Sequence, residues 1–192
     1  MADSLNKRLK TLLNRRDATV VPGAFNALAA KMVADEGFEA VYVSGAGVTN
    51  AYLGVPDLGL ISLSELADNV AAMRDVVDIP IVSDADTGFG NAVNVTRTVR
   101  VLERAGANGI QLEDQVFPKK CGHFAGKAVI PADEATQKIR AAVDARKDED
   151  FVIVARTDAR SVLGFEAALE RAHGFIEAGA DVAFVEAPES IE

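Results

Sequence analysis

Ile79-Pro80-Ile81-Val82-Ser83-Asp84-Ala85-Asp86 (IPIVSDAD) reads as a short buried strand that ends in two acids, with Gly88-Phe89-Gly90 as a turn behind it. The chain repeats this construction. Apolar runs rich in Val, Ile and Ala stand at Thr19 to Pro22, Ala40 to Ser44, Pro80 to Asp84, Gly109 to Glu113, Val152 to Arg156 and Val182 to Glu186. Between them lie stretches of helical period near Ala24 to Asp35, Leu63 to Val77, Ala92 to Ala105, Ala132 to Arg146 and Phe165 to Ala178, after an amphipathic opening helix near Ser4 to Arg15. Strands alternating with helices predict β/α units on a parallel sheet.

An internal echo supports the parsing. EGFEAVYV, AGANGIQL and AGADVAFV each join a helix-ending glycine to a strand, with Gly37, Gly106 and Gly179 as C-caps spaced 69 and 73 residues apart. No Pro/Ser-rich linker divides the 192 residues, so one domain over 1–192 is expected. Six parallel strands suit either an open doubly wound sheet or part of an eight-stranded barrel, and a full barrel takes ~250 residues.

Composition narrows the function classes. With 29 acids against 20 bases, a net charge of −9 and no basic run, nucleic acid is an unfavoured partner. No apolar stretch approaches the ~18 to 20 residues of a membrane span, and MADSLNKRLKTLLNRR has no signal-peptide core, so a cytoplasmic protein is expected. The single cysteine, Cys121, excludes an internal disulfide and stands among polar residues, a setting for a reactive thiol more than for an inert core residue.

Polar residues follow directly on the apolar runs: Ser44-Gly45-Ala46-Gly47, Asp84-Ala85-Asp86, Glu113-Asp114, Arg156-Thr157-Asp158 and Glu186. In parallel α/β folds these carboxyl ends of strands form the ligand face. An acid there often only caps the next helix, a reading that five successive strands ending this way make hard to sustain. Asp84 and Asp86 can act together only if the chain is already turning, and their hard oxygens suit magnesium, with Glu113 and Asp57 joining through water. In Lys119-Lys120-Cys121-Gly122-His123, two lysines and a histidine favour the thiolate, and Gly122 and Gly126 suit a loop that bends over a ligand. Gly45-Ala46-Gly47 as a dinucleotide loop is weak, because Asn50 replaces the third glycine. His173 reads as a solvated or half-buried helix residue, and Lys7, Arg8, Lys10, Arg15 and Arg16 as one solvated face.

KKCGH resembles the signature of isocitrate lyases and their shorter relatives, the methylisocitrate and dimethylmalate lyases, in the isocitrate lyase/phosphoenolpyruvate mutase superfamily. VPGAFNALAA, VYVSGAGV, LGVPDLGL, DADTGFG, IQLEDQ, VARTDA and FVEAP resemble family segments in the same order, from about Val20 to Pro188. The resemblance implies a (β/α)8 TIM-type barrel, here cut after the sixth strand. It implies magnesium, or manganese, held by Asp84 and Asp86 with Asp57 and Glu113 outside them. It also implies an oxo-acid pocket of Tyr42, Ser44, Gly45, Ala46, Asp84, Lys120, Cys121, Gly122, Arg156 and Glu186. Cys121 is then the acid that protonates a carbanion after carbon-carbon cleavage, with His123 and Arg156 balancing charge.

Among relatives, the Cys-containing segment argues for a lyase over a phosphonomutase or an oxaloacetate-cleaving enzyme, and the short chain argues against a true isocitrate lyase. A methylisocitrate lyase or a 2,3-dimethylmalate type lyase is left, FVEAP leaning towards the second. A homotetramer is implied as well. The competing reading is a shortened chain that keeps the magnesium and oxo-acid contacts without turnover.

Overall fold

A computed structural model of the chain describes residues 4–15, 17–122 and 124–188. Six strands, β1 (Gly23–Ala24), β2 (Val41–Val43), β3 (Ile81–Asp84), β4 (Gly109–Glu113), β5 (Val152–Thr157) and β6 (Val182–Val185), form one parallel sheet in the order β1-β2-β3-β4-β5-β6. That order separates the two architectures. A doubly wound sheet reverses direction at a switch point, whereas here each strand adds beside its predecessor on the same side, as in a barrel.

The helices are α1 (Leu5–Leu13), α2 (Ala27–Asp35), α3 (Gly45–Val48), α4 (Leu63–Arg74), α5 (Ala92–Ala105), α6 (Ala132–Ala145), α7 (Ala159–Leu163) and α8 (Phe165–Glu177), with a π-helical turn at Thr49–Leu53. Local chemistry sets their ends. Ser62 and Glu65 make a capping box on α4, Asn91 and Asn94 one on α5, and Gly106 ends α5 at φ 102°. Along α5, Val95, Thr98, Val99 and Leu102 are buried, the three-and-four spacing of one helix face.

Strand alternation then sorts the side chains. Val41, Val43, Ile81, Ile110, Leu112, Ile153 and Ala155 pack outward into the main core beneath the helices, with Leu66, Val70, Val99, Leu102, Ile139 and Phe175. The opposite set, Tyr42, Val82, Val152, Val154 and Val182, packs inside the sheet around Leu9 of α1. The basic residues of α1 are more than a solvated face: Arg8 donates to the Asp78 carbonyl (3.0 Å), and Lys10 to the Glu149 carbonyl (2.6 Å). They hold Leu9 against the inner layer at the amino ends of the strands. Arg16 lies outside the described residues.

The first strand is displaced from its expected span, Thr19 to Pro22, to Gly23–Ala24. Pro22 has no N–H for a ladder, and its carbonyl only opens the pairing by accepting from Tyr42 (2.9 Å). Helix α2 accordingly starts at Ala27, not Ala24, because the Asn26 side chain accepts from the Ala29 amide (2.9 Å) and caps it.

Candidate active site at the strand tips

The inner-face alternation carries directly into the site. Continuing it to the carboxyl ends gives Ser44 after β2, Asp84 on β3, Gln111 and Glu113 on β4, Arg156 on β5, and Phe184 and Glu186 at β6. All of them, with Tyr42, line one cavity of about 250 Å3. Register brings them level, since Asp84 pairs with Gln111, Glu113 with Arg156, and Arg156 with Phe184. Ala46, Asp57, Lys119, Lys120, Cys121 and Gly122 complete the wall from the loops. The expected pocket residues therefore converge. Gly45 stands just behind, its N–H donating to Asp84 Oδ2 at 3.3 Å. His123 lies outside the described residues.

The turn required between Asp84 and Asp86 is present. Asp86 sits at φ 45°, a conformation aspartate tolerates, and its amide donates to Asp84 Oδ1 at 3.0 Å. Asp84 thus faces the cavity, while Asp86 turns towards the loop that carries the thiol.

Lys119, absent from the expected site, is central to it. Its side chain is 3% exposed, and its ammonium lies 2.5 Å from Asp57 Oδ1 and 2.9 Å from Asp86 Oδ1. Burial alone would lower its pKa, but Asp86, Asp84 and Glu113 outweigh burial and raise it. Lys120 instead donates to the Gly126 carbonyl (2.9 Å). The two lysines expected to serve the thiol thus each have a partner of their own. Only the spacing of Lys119 from Cys121 was readable from the sequence; its pairing with acids from two other loops was not.

Arg156 is held on three sides. Its guanidinium donates to both oxygens of Asp158 (3.0 Å each) and faces Glu113 Oε2 (3.4 Å) and Glu186 Oε2 (3.5 Å). Those acids keep its pKa raised against the opposing effect of burial. Lys127 joins from the loop: its ammonium binds Asp158 Oδ1 (2.9 Å) and the Gly122 carbonyl (2.5 Å), tying the segment beside Cys121 to β5. Asp114 belongs to the framework. It accepts from Thr157 Oγ1 (2.7 Å), the Asp158 amide (2.9 Å) and Arg171 (2.9 Å).

The four acids expected to surround a metal do not form a ready cage, and among the described residues no group of three or more His, Cys, Asp or Glu is arranged to hold one. Asp57 and Asp86 are bridged by Lys119, and Glu113 leans on Arg156. The donor set nevertheless fits a hard divalent ion that keeps most of its water and needs only one or two carboxylates. Asp86 Oδ1 and Glu113 Oε1 are buried with no hydrogen-bond donor, the Lys119 contact to the former lacking hydrogen-bond geometry. Burial, then Asp84, pushes the Asp86 carboxyl up to about 7 against the pull of Lys119. Burial also raises Glu113 well above its ordinary range. In both, burial outweighs the nearby cation, and a divalent ion would favour the charged form.

Strand order and site together define the class: a β/α-barrel chain with a polar pocket at the carboxyl edge of its sheet. The sequence matches the family model described as phosphoenolpyruvate phosphomutase over residues 9–192, and the chain belongs to that family, within the PEP mutase/isocitrate lyase superfamily. It is 56% identical over 184 residues to 2-methylisocitrate lyase of Aeropyrum pernix, covering 96% of this chain and 59% of that protein. A crystal structure of 2,3-dimethylmalate lyase superposes with a TM-score of 0.94 at 35% identity, over 100% of this chain and 65% of that one. Phosphonopyruvate hydrolase in complex with oxalate and Mg++ gives a TM-score of 0.89 at 36% identity, over 97% and 64%. The chain thus spans about three fifths of the length of the relatives it matches.

Proposed function

We propose that the chain carries the reaction site of a magnesium-dependent carbon-carbon lyase. Its substrate would be a 2-hydroxy di- or tricarboxylate of the 2-methylisocitrate or 2,3-dimethylmalate type, split into a 2-oxo acid such as pyruvate and a carboxylate such as succinate or propionate. The observation that carries this reading is the meeting of Asp84, Glu113, Arg156, Glu186 and Cys121 around one small cavity.

Asp84 and Asp86 would hold the ion, with Asp57 and Glu113 beyond it. A bound ion there supplies charge stabilisation for an oxyanion and lowers the pKa of a neighbouring hydroxyl. Arg156, fixed by Asp158, offers a fork to a substrate carboxylate. The Ser44 hydroxyl keeps its proton for a second bond, because its oxygen only accepts from the Gly47 amide (3.1 Å). In the reaction the substrate hydroxyl gives up its proton to a cavity carboxylate, the carbon-carbon bond breaks, and its electron pair stays on the departing carboxylate's α-carbon. Cys121 then donates a proton to that carbon, with the role of balancing the charge left behind assigned to His123, Lys120 and Arg156 and that of excluding water to the 117–127 loop.

Cytoplasmic location and a homotetramer complete the proposal; among the described residues no helix is long and apolar enough to cross a membrane. The test is release of 2-oxo acid from a panel of 2-hydroxy acids with magnesium present. Cys121→Ser is expected to lose turnover by at least about a hundredfold, typical of a missing general acid, with magnesium and pyruvate affinity retained. Wild-type rates in that variant would remove the thiol from the mechanism.

A further inference from the structure

A second, larger cavity of about 650 Å3 lies apart from the strand-tip pocket and shares no lining residue with it. It opens between the starts of α4, α5 and α6, and its walls are mainly apolar, formed by Leu60, Ile61, Phe89, Phe117 and Ile130. Lys138 also lines it. This residue occupies the buried face of α6 with Ala135, Ile139, Ala142 and Ala145, and is only 6% exposed. The buried cations Lys119, Lys127, Arg156 and Arg171 each have a carboxylate within ion-pair reach, and Arg74, which has none, donates instead to the Ile79 carbonyl (2.7 Å). Lys138 makes no hydrogen bond or ion pair among the described residues.

Three acids act on it through space, Glu134, Glu113 and Asp114. Glu134 is exposed at the mouth, Glu113 faces Arg156, and Asp114 is saturated by Thr157, Asp158 and Arg171. None of them closes on the ammonium. The ammonium opens on the cavity with no carboxylate or carbonyl against it, so one charge stands unpaired within mainly apolar walls, and an anion arriving there would offset the cost of placing it there. Ser62 and Asn91, which cap α4 and α5, also line the space; the N-terminus of α5 adds positive potential, while at α4 the capping-box carboxylate of Glu65 offsets it.

We propose that this cavity is a second ligand site, for an elongated apolar monocarboxylate whose carboxylate pairs with Lys138 and whose hydrocarbon part lies against Leu60, Phe89 and Phe117. One cation in apolar walls selects a monoanion, since a dianion would bury excess charge. The volume falls in the range of pockets for drug-sized organic molecules and exceeds what a two- or three-carbon oxo acid needs.

Octanoate is the probe, titrated calorimetrically into the intact chain with magnesium and saturating oxalate present to occupy the strand-tip pocket. Saturable one-site binding is expected, with octan-1-ol and the Lys138→Met variant each weaker by about tenfold or more, the loss of one charge-assisted contact. The variant's melting temperature is expected to equal or exceed that of the wild type. Should Lys138→Met fail to fold, Leu60→Glu, which puts a charge at the exposed rim, is expected to weaken octanoate similarly. Absence of saturable binding overturns the proposal, as does binding abolished by oxalate, equal affinity for octan-1-ol, or unchanged affinity in the folded variants.

Discussion

Burial and the neighbouring Asp84 raise the Asp86 carboxyl from its ordinary 3.8 to about 7, with Lys119 opposing the rise. Because the folded value is raised, the group's contribution to stability is present in full below about pH 4 and is lost as pH rises through about 7. A divalent ion competes with the same proton, so magnesium binding strengthens up to tenfold per pH unit towards neutrality and levels off above it. Thermal melts are expected to show magnesium stabilising the protein at pH 8 and having little effect at pH 5, with Asp84→Ala removing the pH 8 effect. A magnesium shift of equal size at both pH values would dissociate Asp86 from the ion. Residue types and spacing were enough to nominate Asp84, Asp86, Glu113 and Arg156. They could not separate Glu113, which faces the cavity, from Asp114, which ties β4 to β5 and α8.

Among the elements, the six helices of nine or more residues were legible because hydrophobic period and end signals agree along them, and the later strands because short apolar runs end in polar residues. Helices α3 and α7 and the π-helical turn were not, since four or five residues carry no period. Yet α3 shapes the site. Its first residue, Gly45, approaches Asp84 so closely that an added Cβ would stand 2.7 Å from Oδ2. That carboxylate is fixed by the amides of Gly45 and Asp86 and cannot swing aside without losing them. Gly45→Ala is therefore expected to displace Asp84, cutting magnesium affinity and turnover by roughly a hundredfold, as for a misplaced reacting group. Circular dichroism should stay near wild type, because only one short helix is touched. An alanine variant with normal magnesium affinity would show that Asp84 moves freely.

At the scale of the whole molecule, one buried network joins sheet, loop and outer helix. Asp114 gathers Thr157, the Asp158 amide and Arg171, and Arg171 also donates to the Ile130 carbonyl (2.8 Å). Removing Asp114 strands a guanidinium that is 8% exposed. Asp114→Ala is expected to cost about 3 to 5 kcal/mol of stability by denaturant titration. A loss below about 1 kcal/mol would place Arg171 among solvated pairs of little worth.

Unaided, the amino-acid sequence settled that strands and helices alternate, that polar groups cluster after the strands, and that one thiol sits in a glycine-flanked loop. Those features are local, written in side-chain period and in turn chemistry. Strand order, the side of the sheet each tip residue faces, the bridging of Asp57 and Asp86 by Lys119, and the solitary burial of Lys138 were decided by tertiary structure. Each depends on which distant segments meet, and burial, not residue type, sets whether a charge finds a partner there.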